Sequence, residues 1–192
     1  MNKLDALRPI MKALSEHLVI ACNGMIGREV HACEGDRHDR FYMIGSMGIG
    51  SAMGLGVARS LPGRKVAIVD GDGNVLMGMG NLAQIASEAP QNLVHVCLDN
   101  GVHASTGGQR TIATQIRLEE IARAAGYPTA LRVETPEELE RALAELPSAA
   151  KPAFLLVVVE PGTVKGIARV EVEPPEIARR FRRAATSGAH TA

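Results

Sequence analysis

The chain has 192 residues, 46% of them hydrophobic and 22% charged, with 21 basic side chains against 21 acidic ones. This length suits one domain of ordinary size, and the composition excludes a disordered chain. Neutrality argues against nucleic acid or an anionic membrane as the main partner, and no apolar run approaches the roughly 20 residues of a membrane span. Aromatics are only 3%, so Val, Ile, Leu, Ala and Met must build the core. The first residues lack the apolar block of a signal peptide. Cys22, Cys33 and Cys97 have no metal-type spacing and read as structural thiols in a reducing cytoplasm.

Residues 3 to 17 place Leu4, Leu7, Ile10, Met11 and Leu14 at helical spacing, and Pro9 predicts that this helix starts there or is interrupted. Residues 18–22 form a short buried strand ending on Asn23-Gly24. A short helix over 27–33 and a charged surface loop over 34–40 follow. Residues 41–44 are the next strand, closing on Gly45-Ser46-Met47-Gly48. Residues 49–60 carry Gly50, Gly54 and Gly56 in a helix that is small and apolar on every side. Each helix-interior glycine costs roughly 0.5–1 kcal/mol relative to Ala, so three of them require a packing reason. A strand over 66–69 closes on Asp70-Gly71-Asp72-Gly73. One helix from Asn74 to about Glu88 follows, with the same all-round apolar character. A strand over 93–98 closes on Asp99-Asn100-Gly101. The glycine-rich loop over 101–111 is of a length that marks function. A helix over 118–125 and a strand over 129–133 come next. Thr135 caps a helix with Pro at its first position, running to about residue 146. A buried strand over 153–159, a basic helix over 176–183 and a frayed tail over 186–192 complete the chain, leaving 1–185 as one domain. Strands alternating with helices predict a three-layer α/β/α fold with a mainly parallel sheet.

In such a sheet, ligands bind beyond the carboxyl ends of the strands. Asp72 and Asn100 then fall on one edge, from neighbouring strands, and Asp72 reads as an edge ligand rather than a core residue. Two hard oxygen ligands beside a helix N-terminus suit a diphosphate carrying Mg²⁺, which prefers few carboxylates and completes its octahedron with phosphate, carbonyl and water oxygens. Backbone N–H groups at Asn74 supply the anion site, and Gly71 and Gly73 let the main chain approach and turn. A second pattern, Gly48-x-Gly50-x-x-x-Gly54 with Asp70 some 20 residues on, imitates a dinucleotide fingerprint. Its spacing is off by one, and a tightly packed helix explains the glycines as well.

Gly71-Asp72-Gly73 followed at distance by Asp99-Asn100, with Gly45-Ser46-Met47-Gly48 upstream, resembles the thiamin diphosphate motif. Asp99 departs from the Asn usual in that place. The runs Phe41-Tyr-Met-Ile-Gly-Ser-Met-Gly48, Asp70-Gly-Asp-Gly73 and Asp99-Asn-Gly-Val-His-Ala-Ser-Thr-Gly-Gly-Gln109 are similar to the diphosphate-binding half of phosphonopyruvate and sulfopyruvate decarboxylases, over about residues 21 to 163. The resemblance implies a thiamin diphosphate-binding fold. It implies Asp72, Asn100 and the Val102 carbonyl on Mg²⁺, and Gly71, Gly73 and Asn74 along the diphosphate. Gly45 carbonyl and Met47 N–H would hold the aminopyrimidine; Ser46, His103 and Ala104 complete the cofactor set.

These enzymes also need a glutamate from a pyrimidine-binding half, and a chain this short does not contain both halves. A separate pyrimidine-binding subunit is therefore expected to supply it, in a cytoplasmic hetero-oligomer, with this chain silent alone. The two helices apolar around their circumference point the same way: a lone chain would leave large apolar patches in water, so they are expected to form the interface and to self-associate in isolation. The implied activity is decarboxylation of a small anionic 2-oxo acid to CO₂ and an aldehyde. Sulfopyruvate and phosphonopyruvate both remain open, with a lean to sulfopyruvate. His103 can steer an anionic substrate or a proton. Ser105, Thr106, Gln109 and Arg110 can bind a sulfonate or phosphonate, since Arg offers planar, bidentate recognition. His31, His38 and His95 read as helix, surface and strand residues. Two rivals stay open: half of a transketolase-like or oxidoreductase thiamin enzyme, and a nucleotide-binding α/β module.

Overall fold

The computed structural model describes residues 1–162 and 166–187. Helix α1 (Lys3–Ala13) leads into β1 (Leu18–Ala21). Then come α2 (Met25–Glu34), β2 (Arg40–Tyr42), α3 (Gly50–Ser60), β3 (Val66–Gly71), α4 (Asp72–Met77), α5 (Gly80–Glu88) and β4 (Leu93–Asp99). A ribbon of β5 (Val102–His103) and β6 (Gln109–Arg110), a 3-10 turn (Ile112–Gln115) and α6 (Leu118–Ala125) lead on. The chain closes with β7 (Thr129–Val133), α7 (Pro136–Glu145), β8 (Ala153–Val158) and α8 (Pro174–Thr186).

Six strands form one parallel sheet in the order β2-β1-β3-β4-β8-β7. The central strand β4 is buried at all seven positions, as expected where both faces of a parallel sheet are covered. The period of two sorts the side chains. Val19, Val69, Val96 and Val157 pack under α1, α2 and α7. Leu18, Ile20, Ile68 and Phe154 pack under the helices of the other face, with Leu55, Leu82, Leu118 and Phe181. The expected three-layer parallel architecture is present. Among the described residues no helix is long and apolar enough to cross a membrane. Thr135 forms a full capping box with Glu138.

Several expectations are corrected. Pro9 neither starts nor interrupts α1; it sits inside a continuous helix. The carbonyl it deprives of a donor, that of Asp5, lies on the exposed side with Pro9 itself, where water satisfies it. The single helix expected from Asn74 is two, α4 and α5, broken at Gly78-Met79. The break follows from a close approach: any Cβ on Gly78 would collide with the Gly48 carbonyl. The loop over 101–111 is partly a ribbon, with Val102 opposite Arg110 and His103 opposite Gln109. Thr186 ends α8 rather than opening a tail, and 188–192 lie outside the described residues.

The glycines of α3 divide by direction. Gly50 faces Cys22 and Gly54 faces Ile68, with no room for a Cβ at either. Gly56 is exposed, with nothing near it. The helix is therefore not buried all round, and Gly54 belongs to this chain's own core. Gly54→Leu is expected to destabilise the fold by at least about 3 kcal/mol, the upper end for core overpacking, read as a fall in chemical-denaturation midpoint. A variant that folds as well as the parent would place this helix elsewhere.

His17 lies half-buried at the amino edge of the sheet, and burial with the nearby Lys65 and Arg40 charges lowers it to about 4. The folded chain then binds fewer protons than the unfolded one below about pH 6.5. Stability from this residue is complete above that pH and lost as pH falls toward 4. His17→Gln should flatten the melting temperature over that window; an unchanged profile would exclude His17 as a source of acid lability.

Candidate cofactor site

β1, β3 and β4 are neighbours or next neighbours in the sheet and end on one edge. From β1 the chain goes to β2 on one flank and then to β3 on the other. Loops leaving such a switch point diverge and leave a crevice. Here the crevice is a cleft open to solvent. Asn23 and Gly24 line it from the β1 end, Gly71, Asp72, Gly73 and Asn74 from the β3 end, and Asn100, Val102, His103, Ala104 and Ser105 from the β4 end, with Met47 and Lys3 at its sides. Gly45 and Ser46 are not brought into the cleft. They line an adjoining groove with Tyr42 and Ile44.

Asp72 is only 2% exposed, which corrects the expectation of an edge residue. Its Oδ2 accepts a hydrogen bond from Thr111 Oγ1 at 2.5 Å, and the Thr111 N–H is fastened to the Gly101 carbonyl at 2.9 Å. Burial pushes the Asp72 carboxyl up, against the lowering effect of hydrogen bonds from Thr111 and the Gly73 backbone. Asp99 is raised too, by burial and then by the Asp72 charge. Its Oδ1 accepts from the Gly101 N–H at 3.0 Å, so it braces the loop. Asn100 Oδ1 accepts from the Val102 N–H at 3.3 Å, and its Nδ2 donates to the Gly162 carbonyl at 3.5 Å.

Neither Gly71 nor Gly73 has a positive φ, so the sharp turn expected of them is absent. Gly73 is there for space: a Cβ would come within 2.9 Å of the His103 ring and 3.0 Å of the Met47 methyl. α4 begins at Asp72, two residues earlier than expected. The Asn74 side chain holds the upstream loop, its Oδ1 accepting from the Gly48 N–H at 2.8 Å. Asn81 Nδ2 donates to the Gly48 carbonyl and Ser51 Oγ, both at 2.9 Å. Ser46 and Gly48 take φ of 59° and 85°, the bend that lets Met47 reach the cleft.

The motifs did not point to Asn23, Lys3, Thr111 or the Asp70–His95 pair. Asn23 followed a strand end on the right edge, which was a usable signal; the others had none. Asp70 Oδ1 accepts from the Gly71 N–H at 2.9 Å, while its Oδ2 lies 3.2 Å from Nε2 of the wholly buried His95. Cys22 and Cys97 lie close by, their thiols pushed well up by burial and so inert.

The cleft fits a diphosphate with a small divalent cation. Gly73 is a cradle that a Cβ would fill. Asn23 Oδ1 is buried without a hydrogen-bond partner among the described residues, so polar capacity is unmet. Among those residues no three His, Cys, Asp or Glu side chains converge. A metal here would take few protein ligands and complete its shell from the guest and water, as Mg²⁺ does.

A parallel sheet with a polar, glycine-lined crevice at its switch point defines a diphosphate-binding α/β domain. The chain belongs to the thiamine pyrophosphate enzyme family: the model of the C-terminal TPP binding domain matches residues 20–157. That match sets aside the nucleotide-binding module. The chain is 43% identical to phosphonopyruvate decarboxylase of Streptomyces viridochromogenes over 94% of its own length but only 45% of that protein's. It is 37% identical to sulfopyruvate decarboxylase subunit beta of Methanothermobacter thermautotrophicus over 94% of both chains. It thus spans less than half of the first relative and nearly all of the second. In fold it resembles benzoylformate decarboxylase from Polynucleobacter necessarius, with a TM-score of 0.66 at 17% identity over 88% of this chain and 34% of that one.

Proposed function

We propose that residues 1–185 act as one thiamin diphosphate-binding unit. The chain is the diphosphate-binding, beta-type subunit of a two-component 2-oxo acid decarboxylase in the cytoplasm. The observation that carries this is the cleft at the switch point, where Asp72, Asn100 and the backbone of Gly73 meet Met47 and His103. Similarity to relatives named subunit beta supports the two-component form.

Bound thiamin diphosphate would supply the carbon nucleophile and the electron sink that loss of CO₂ requires. Asp72 and Asn100 hold Mg²⁺ by side-chain oxygens and Val102 by its carbonyl. Gly71, Gly73 and Asn74 face the diphosphate with their main chain. Met47 N–H and Ala104 would meet the aminopyrimidine from the cleft, and the Gly45 carbonyl with Ser46 from the separate groove they line. His103, over Gly73, orients the anionic substrate or carries a proton. The catalytic glutamate comes from a pyrimidine-binding partner. Sulfopyruvate and phosphonopyruvate both suit the site, and relatives named for each substrate are similar over most of this chain, with the higher percentage identity on the phosphonopyruvate side.

Calorimetry tests the cofactor: thiamin diphosphate should bind only with Mg²⁺, and NAD should not bind. Turnover of the two substrates by the reconstituted complex, followed by aldehyde release, separates them. Absence of thiamin diphosphate binding under any metal condition would end this assignment.

A further inference from the structure

We infer that Lys3 is a phosphate-facing cation of the cleft, a binding residue for the cofactor's diphosphate that the motif does not contain. The inference rests on the cofactor assignment above. Lys3 lies outside the segment matched by the family model, yet its side chain lines the cleft. The placement is secured by the backbone, since the Met1 carbonyl accepts from the Glu160 N–H at 2.9 Å. That bond pins the start of α1 beside the end of β8, on the edge where the strands deliver their loops.

Lys3 is only 6% exposed, and lysine is almost never buried unless paired. Its Nζ lies 3.3 Å from Glu29 Oε1 and 3.4 Å from the Gly162 carbonyl. Both contacts are long, and an ammonium has three donors. The third is directed to no protein acceptor among the described residues. Such a pair is poor evidence of stabilisation, because removing two charges from water can cost more than their attraction returns. It makes sense where a fixed positive charge is wanted. The Gly162 carbonyl also accepts from Asn100 Nδ2, so Lys3 and Asn100 share one acceptor and sit side by side. Asp72 contributes a carboxylate to the same cleft, and among the described residues that line it Lys3 is the only Lys or Arg. A diphosphate ester on Mg²⁺ keeps a net negative charge, and Lys3 is the charge that balances it. Lysine binds phosphate in this manner, as a point charge.

The test uses the full chain, with Mg²⁺ and either thiamin diphosphate or inorganic pyrophosphate as probes and thiamin as the uncharged-tail control. Lys3→Met alone would take one cation away from the buried Glu29 carboxylate, so the variant is Lys3→Met with Glu29→Gln, which neutralises both. A hydrogen bond to a charged group is worth roughly 10- to 100-fold in affinity. Both phosphate probes should weaken by that factor, thiamin should be unaffected, and Lys3→Arg should recover most of the loss. Equal phosphate affinity in parent and double variant overturns the inference, as does equal loss for thiamin, which would mark a structural pair. Lysine side-chain NMR of the parent chain is a second readout that does not depend on the variant folding. Mg²⁺–pyrophosphate should shift the Lys3 Nζ signal and leave Lys65 unmoved; no shift overturns the inference. Failure of the parent to bind thiamin diphosphate at all would instead refute the cofactor assignment.

Discussion

Asp72→Asn is expected to abolish Mg²⁺-dependent binding of thiamin diphosphate while leaving the ligand-free chain as stable at neutral pH, or more so. Asp72 is buried and carries its charge against a desolvation penalty. Its folded value stands above the ordinary 3.8, so between the two values the folded chain holds a proton that the unfolded chain has lost. Stability therefore falls as pH rises through that window, and above it the ionised side chain remains a cost that a bound cation removes. Asparagine keeps the shape and an acceptor for Thr111 Oγ1 without that cost. It also relieves Asp99, which Asp72 pushes up. The loss in cofactor affinity should be at least about 100-fold, since even outer partners of metal ligands account for 10- to 100-fold. Calorimetry reads the binding. Melting curves from pH 3.5 to 7 read the stability, and the variant should gain on the parent as pH rises. Retained Mg²⁺-dependent binding would remove Asp72 from the site.

The isolated chain is expected to show no decarboxylase activity and to self-associate; a pyrimidine-binding partner should restore turnover in proportion to the complex formed. Among the described residues the exposed large hydrophobics are Ile44, Ile49, Met77 and Ile112, at 55% to 67% exposure. Ile44 follows β2, Ile49 precedes α3, Met77 ends α4 and Ile112 follows β6, so all belong to the segments around the cleft. Grouped on one face, such side chains would mark an interaction surface. Gly54, on one of the two helices expected at the interface, has no room for a Cβ against Ile68, so a substitution there would report folding instead. Ile49→Glu with Met77→Glu is the better variant. A hot-spot residue is worth about 2 kcal/mol or more, so one hot spot in the pair should weaken association about 30-fold and two roughly 900-fold, while the melting temperature holds. Sedimentation and activity titration read both. A monodisperse parent chain that turns over substrate alone would refute the interface and the absent glutamate together.

The spacing of glycines, acids and amides was legible without coordinates, because a strand-end motif is local: Gly71-Asp72-Gly73 and Asn100 are each set by the strand they follow. Helix Pro136–Glu145 was legible for the same reason, since its cap is four residues long. Strand order, and with it the crevice, was not local. Residues 18–22 put Asn23 at a strand end, but nothing in them announces that β1 sits between β2 and β3, the order that carries Asn23 into the crevice.

The sequence by itself determined the parallel α/β class, the family and the strand-end residues proposed to hold a diphosphate and a divalent cation. Tertiary structure decided what burial does to them. It alone shows Asp72 withdrawn from water beneath Thr111, the one expected helix broken where Gly78 meets the Gly48 carbonyl, and Gly54 turned inward. It alone brings Lys3 to a cleft whose other walls lie 20 to 100 residues away in the chain. The physical reason is that motif chemistry is encoded in neighbouring residues, whereas desolvation, close approach and charge balance arise only from segments that folding brings together.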